Sequence, residues 1–264
     1  MLVDGKGQKF EVAEGWAKVA NMSDDQAYIG EYFGTDGYGF AAGDAHKAYD
    51  GLDKFTRDIF FIDGRYYVSF DDVAKAEGTG TFEYLFHNKG EWTGDLENGY
   101  VIAQDSDSME LHVKMPVPAV ANLAPPSTDS QLSRLGSELS VKNEQAEEAA
   151  DFMAVYFPRL NGESLPAAPI LTADDEGYML QVERNGSKTD IVKTRGDKGT
   201  ITAPDIISFA KSMFYTKNGD EIANSVMVDG TSLTLPEGYP SFLSSTAVNL
   251  RYEKLASGFR VWIA

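Results

Sequence analysis

The 264 residues carry 41 acidic against 23 basic side chains, a formal charge of −18, with 42% hydrophobic residues and no cysteine. That balance tells against nucleic acid and anionic lipid surfaces, which are met by clustered Lys and Arg, and the missing thiols exclude disulfides, thiolate metal ligands and a Cys nucleophile. No run of about 18 apolar residues exists to cross a bilayer as a helix, Met1-Leu2-Val3-Asp4-Gly5 lacks the order of a signal peptide, and the length suits one large β domain or two smaller ones.

Turn chemistry punctuates the chain. Asp or Asn precedes Gly at Asp4, Asp36, Asp63, Asn98, Asn161, Asn185, Asn218 and Asp229, pairs that supply the positive φ angles of tight hairpins. Phe55 to Trp92 is read as adjacent antiparallel strands. Arg57–Ile62 and Arg65–Phe70 form a hairpin around Asp63-Gly64, with Tyr66, Val68 and Phe70 on one face and Arg65, Tyr67 and Ser69 on the other. Thr81–His87 alternates Phe82, Tyr84 and Phe86 against Glu83, Leu85 and His87. Met109–Met115 sets Met109, Leu111, Val113 and Met115 against Glu110, His112 and Lys114, so both strands are expected to have one wetter face.

Pro116, Pro118, Pro125 and Pro126, followed by Ser127 to Ser130, break both periodicities, and Pro116 to about Ser140 is read as a connection. Asn143 to Val155 has the Glu and Ala content of a helix ended by Pro158, with an edge strand through Phe152–Phe157 as the rival reading. Strands resume at Tyr178–Arg184 and Thr189–Thr194, and Val248–Glu253 with Phe259–Ile263 reads as a closing hairpin through Ala256-Ser257-Gly258. The expected fold is mainly β, a large antiparallel β-sandwich with few short helices. Its regions are 1–115, a Pro/Ser-rich connection at 116–140, and 141–264, packed with the first as one domain.

Little in the sequence carries chemistry by itself. His46, His87 and His112 share no ligand spacing, Asp105-Ser106-Asp107-Ser108 lacks the later Gly and Glu of a calcium loop, and no Ser elbow, phosphate loop or dinucleotide fingerprint occurs. No metal or cofactor is expected. His87 ends an aromatic strand near Trp92 and suits a cleft wall near neutral pH, or else a strand-end hydrogen bond. Arg57 and Arg65 sit on neighbouring strands, where a guanidinium fork could meet a substrate carboxylate or pair with Asp58, Asp63, Asp71 or Asp72. Tyr67 and Trp92 offer stacking surfaces for sugars.

Several segments taken together resemble the carboxyl-terminal β-sheet half of the heparinase II/III-like polysaccharide lyases. They are Val3-Asp4-Gly5-Lys6-Gly7-Gln8, Gly43-Asp44-Ala45 with Ala48-Tyr49, Arg57-Asp58-Ile59-Phe60-Phe61-Ile62, Tyr66 through Val73, the strand ending in His87, Val228 through Leu233, and Ser244-Ser245. The resemblance implies that an α/α-toroid holding much of the catalytic apparatus would precede this chain, that uronate chains would be cleaved by β-elimination in the cleft between the halves, and that the location is periplasmic or extracellular. It carries no catalytic residue onto this chain. The expected role is to scaffold or line a cleft for an acidic polysaccharide or other glycan, with Arg57, Arg65, Tyr67, His87 and Trp92 as binding residues and a helical domain or self-association as partner. The alternatives are a stand-alone glycan-binding or self-assembling surface protein, and an autonomous lyase using His87 as base.

Overall fold

The computed structural model describes residues 1–9, 27–104, 107–115, 118–125, 136–159, 167–184 and 187–264. They are mainly antiparallel β, with one 3-10 turn at His46–Ala48, and divide into two compact units, Met1–Glu163 and Ser164–Ala264.

The first unit runs β1 (Leu2–Val3), β2 (Tyr28–Thr35), β3 (Tyr38–Asp44), β4 (Leu52–Ile62), β5 (Tyr66–Lys75) and β6 (Phe82–Asn88). It continues with β7 (Trp92–Asp95), β8 (Gly99–Gln104), β9 (Asp107–Lys114), β10 (Ala119–Ala124), β11 (Ser137–Asn143) and β12 (Ala149–Arg159). Eight strands pair in the order β2-β3-β4-β5-β12-β9-β8-β7, and four in the order β1-β6-β11-β10.

The hairpin at Asp63-Gly64 forms as its residues dictate. Both adopt positive φ (52° and 66°), and the Arg65 N–H donates to the Ile62 carbonyl at 3.0 Å. Alternation on β4 then sends Phe55, Arg57, Ile59 and Phe61 to one face of the large sheet, opposite Val73, Asp71, Ser69 and Tyr67 of β5. Part of that face is roofed by the small sheet. Phe55, Val73, Phe152 and Leu111 below pack with Phe82, Tyr84, Leu139 and Val141 above in one core cluster, which makes this unit a sandwich.

Three expectations change here. β6 does not lie beside β5 but crosses to the small sheet, where it pairs with β11, so Phe55 to Trp92 spans two layers. Ala149–Arg159 is neither helix nor edge strand: it inserts between β5 and β9, and long-range pairing on both sides outweighs local Ala and Glu propensity. Pro158 is tolerated near its end, paired with Met109. On β9, Glu110 and His112 are buried rather than on a wetter face, because β9 is an inner strand, and the two side chains hydrogen-bond to each other.

The span expected to be a connection contains β10, and β11 and β12 fall within the first compact unit, so that unit extends well past Met115. Pro and Ser content reports what the chain resists locally; β10 is an outer strand of the small sheet, a position that requires pairing along one edge only.

The second unit is a meander of seven strands paired in chain order. They are β13 (Ile170–Asp174), β14 (Gly177–Arg184), β15 (Lys188–Ala203), β16 (Ile206–Asn218), β17 (Glu221–Thr234), β18 (Phe242–Leu255) and β19 (Gly258–Ile263). The closing hairpin stands as expected, with Leu255 opposite Gly258. Asp229-Gly230 does not turn the chain but lies at a register shift inside β17, a bulge that bends the strand. Asn185-Gly186, Asn161-Gly162 and Asp105-Ser106 lie outside the described residues.

Candidate functional site

In the first unit, a cavity of about 390 Å³ is lined by Met1, Gln8, Ala27, Tyr28, Ile29, Gly43, Asp44, Ala45, Tyr49, Phe55 and Arg57. It sits where the small sheet stops covering the large one, so strand alternation delivers Gly43, Phe55 and Arg57 to it from neighbouring positions on β3 and β4.

Arg57 is fixed from below by Asp71, its cross-strand neighbour. Nε donates to Oδ1 at 2.7 Å and Nη2 to Oδ2 at 2.6 Å, a bidentate fork on a carboxylate with no exposed surface. Its guanidinium carbon also lies 5.0 Å from the centre of the Tyr84 ring and 5.8 Å from that of Phe55, contacts worth about 0.5–1 kcal/mol each at a partly exposed site. The side chain remains 37% exposed, and Nη1 has no partner among the described residues. Burial works against the Arg57 charge, but the hydrogen bonds and charge of Asp71 more than offset it and raise its pKa. Arg57 is therefore a permanent, oriented cation.

Around this pair runs a hydroxyl cluster. The Tyr84 and Tyr156 oxygens are 3.0 Å apart, and Ser69 Oγ lies 3.4 Å from each. Burial pushes the Tyr84 phenol far up, and Tyr49 is also raised chiefly by burial, so both stay protonated donors at neutral pH. At the cavity wall, Asp44 Oδ1 accepts from the His46 backbone N–H at 3.0 Å and from its Nδ1 at 2.6 Å. A carboxylate can only accept, so Nδ1 carries the proton when the ring is neutral. The arrangement can recognise an anionic group with the Arg57 edge, while Tyr49 donates to the Met1 carbonyl at 3.3 Å and the other hydroxyls bond among themselves. Among the described residues no three His, Asp or Glu side chains gather to hold a metal, and no helix is long and apolar enough to cross a membrane.

Of the five residues expected to bind substrate, the structure brings two onto one face. Arg57 lines the cavity, and Tyr67 stands further along the same face, stacked on Phe61 with ring centres 4.7 Å apart. Arg65 is exposed in the turn between β4 and β5. His87 points away from the core on the outer side of the small sheet, its Nε2 3.7 Å from Glu138 Oε2 across the strand pair. Trp92 is not a surface stacker: it is 7% exposed, edge-on to Phe86 in the core, because β7 tucks its first residue under the small sheet. Arg57 does pair with an aspartate, Asp71, and the pairing leaves one edge of the fork open.

Sequence reasoning missed Asp44, Tyr49, Tyr84 and Tyr156 as site residues. Asp44, Tyr49 and Tyr84 lay in segments singled out by resemblance, and Tyr156 did not. Tyr84 and Tyr156 are 72 positions apart and meet only through sheet packing.

No family model matches the sequence, and no curated protein matches it. Among solved structures the chain is similar to the heparan sulfate lyase HepC from Pedobacter heparinus, at 13% identity and a TM-score of 0.50 over 64% of this chain and 28% of that one. A heparinase III crystal structure aligns at 11% identity and a TM-score of 0.48 over 83% of this chain and 27% of that one. Another heparinase III product aligns at 19% identity and 0.49 over 64% and 28%. At these identities the likeness to HepC is one of fold, and it takes in 28% of HepC's length: this chain has the β fold found in part of a heparan sulfate lyase.

Proposed function

We propose that the first unit lines a cleft for an acidic, uronate-bearing polysaccharide and positions that chain without cleaving it alone. The observation that carries this reading is Arg57, a cation locked by a buried carboxylate, whose Nη1 has no partner among the described residues and which lines a cavity of about 390 Å³. A charge held so rigidly loses little entropy on binding a carboxylate or sulfate. The Tyr49 ring lines the same cavity, with its hydroxyl donating to the Met1 carbonyl at 3.3 Å. A periplasmic or extracellular setting goes with such a substrate.

Calorimetric titration of the 264-residue chain with heparan sulfate oligosaccharides tests this. Micromolar to millimolar binding, lost in an Arg57→Leu/Asp71→Leu double variant that still melts cooperatively, is the expected result. The double change removes the cation and its partner together, so no unpaired buried charge remains to unfold the protein. Equal binding by the double variant, or rising near-ultraviolet absorbance from unsaturated product with the unaltered chain, overturns the reading.

A further inference from the structure

Beyond the cavity, the same face of the large sheet carries a trench along β3. Its floor is Gly39, Ala41 and Gly43, three successive positions on this face, opposite Phe61, Ile59 and Arg57 of β4. On its other side, Tyr32 of β2 stands opposite Ala41 and is 80% exposed. The β4 wall is Ile59 and Phe61, with Phe61 backed by the stacked Tyr67; Ile59 is 38% and Tyr67 44% exposed. So the sheet offers a strip of small residues walled by Ile59 and Phe61 on β4 and by Tyr32 on β2, and it leads to the Arg57 cavity, which Gly43 also lines.

The dimensions select the occupant. β2 and β4 flank β3 at about 9–10 Å from one another, two strand spacings of roughly 4.8 Å. That is narrower than the ~10–12 Å diameter of a helix with its side chains. An extended peptide gains its affinity by pairing with a strand edge, but β3 is already paired on both sides and offers none. A pyranose ring needs neither: its apolar face stacks on aromatic and aliphatic walls while its hydroxyls stay at the wet rim. From Arg57 to Phe61 is about 13 Å at roughly 3.3 Å per residue, the span of a short oligosaccharide and more than one ring.

We infer that the β3 trench is a second sugar subsite, holding the apolar face of a ring that lies beyond the disaccharide unit met by Arg57, so that only a longer chain reaches it. This rests on the reading of Arg57 as an anion site, and it adds direction and length: an acidic glycan lies along β3, charged unit at the Gly43 end and stacked unit at the Gly39 end.

Affinity measured against chain length separates the two ideas. Titrating heparan sulfate di-, tetra- and hexasaccharides into the full chain should show a rise of about tenfold or more from di- to tetrasaccharide. Ala41→Leu, which raises the trench floor, and Tyr32→Ala, which removes one wall, should each abolish that rise while leaving disaccharide binding within twofold. The folded state of each variant is checked by its melting curve, and Tyr32→Ala, at an exposed site, keeps the test open if Ala41→Leu does not fold. A length dependence unchanged in Tyr32→Ala, or equal affinity for all lengths, overturns the subsite while leaving the Arg57 reading intact. Loss of length dependence only on mixing with a second copy of the chain, seen as dimerisation by sedimentation, assigns the trench to self-association and overturns it as well.

Discussion

Arg57 in the first unit and Lys193 in the second are both cations held against carboxylates, yet only one is equipped to bind. Lys193 is 1% exposed, and its ammonium donates to Asp174 Oδ2 at 2.7 Å, Glu176 Oε2 at 3.2 Å and the Thr202 carbonyl at 2.8 Å. All three of its donors are used, so it ties β15 to the turn after β13 and does no more. Arg57 has five donor hydrogens, and the Asp71 fork takes one edge only. The same device is therefore structural where the donors are exhausted and a site where one edge is left over beside a cavity. A second contrast lies in the Asp-Gly pairs, since Asp63-Gly64 reverses the chain whereas Asp229-Gly230 bends a strand that continues.

The contrast can be broken most severely at Asp71. Asp71→Ala removes a carboxylate with no exposed surface, leaves the partly exposed Arg57 without both fork bonds and is expected to cost about 3 kcal/mol, measured by urea unfolding; a loss well under 1 kcal/mol would mean that Arg57 is not anchored as described. Next is Gly230→Ala. A Cβ there would come within 2.4 Å of Met227 Sδ and 2.9 Å of Ala210 Cβ, atoms of buried side chains. Overpacking of about 1–3 kcal/mol is expected, whereas an unchanged melting temperature would show that the bulge has slack.

Lys193→Met should cost about 1–2 kcal/mol, less than Asp71→Ala because Asp174 is half exposed and water can replace its partner. The Asp174 carboxyl is held low first by its Lys193 bond, and that of Glu176 first by the Thr202 N–H and then by Lys193. Their folded pKa values lie below the unfolded ones, so this stability is present above the ordinary carboxylate range and is lost as pH falls through the depressed values. Acid titration followed by circular dichroism should show that loss, flattened in Lys193→Met. The smallest structural effect is expected at Tyr67→Ala, about 0.5 kcal/mol at an exposed strand position. Weakened glycan binding at nearly unchanged stability would mark Tyr67 as a site residue, and the reverse pattern would mark it as packing.

Much of the architecture was legible in the chain because turns and alternation are local. Asp63-Gly64 needs only its own backbone preferences to fold back, and Tyr66, Val68 and Phe70 declare a buried face by their spacing. Less of the site was legible. Arg57 and Tyr67 were each picked out and share a face, but Arg65, paired with Arg57 in the sequence reading, sits in the turn, and His87 and Trp92 went to the outer surface and the core when β6 left for the other sheet. The choice between a helix over Asn143–Val155 and an edge strand through Phe152–Phe157 stayed open because helix propensity is a weak local term, and pairing with strands more than 30 residues away decided for an inner strand.

The sequence by itself determined that this is an acidic β protein, where its tight turns can fall, and which aspartates stood within reach of Arg57. Which aspartate, and what remained free afterwards, was decided only in three dimensions. Register between β4 and β5 placed Asp71 beneath the guanidinium, and the limited reach of the small sheet left the Arg57 edge beside an open cavity. Those outcomes depend on contacts between residues far apart in the chain, and no local preference encodes them.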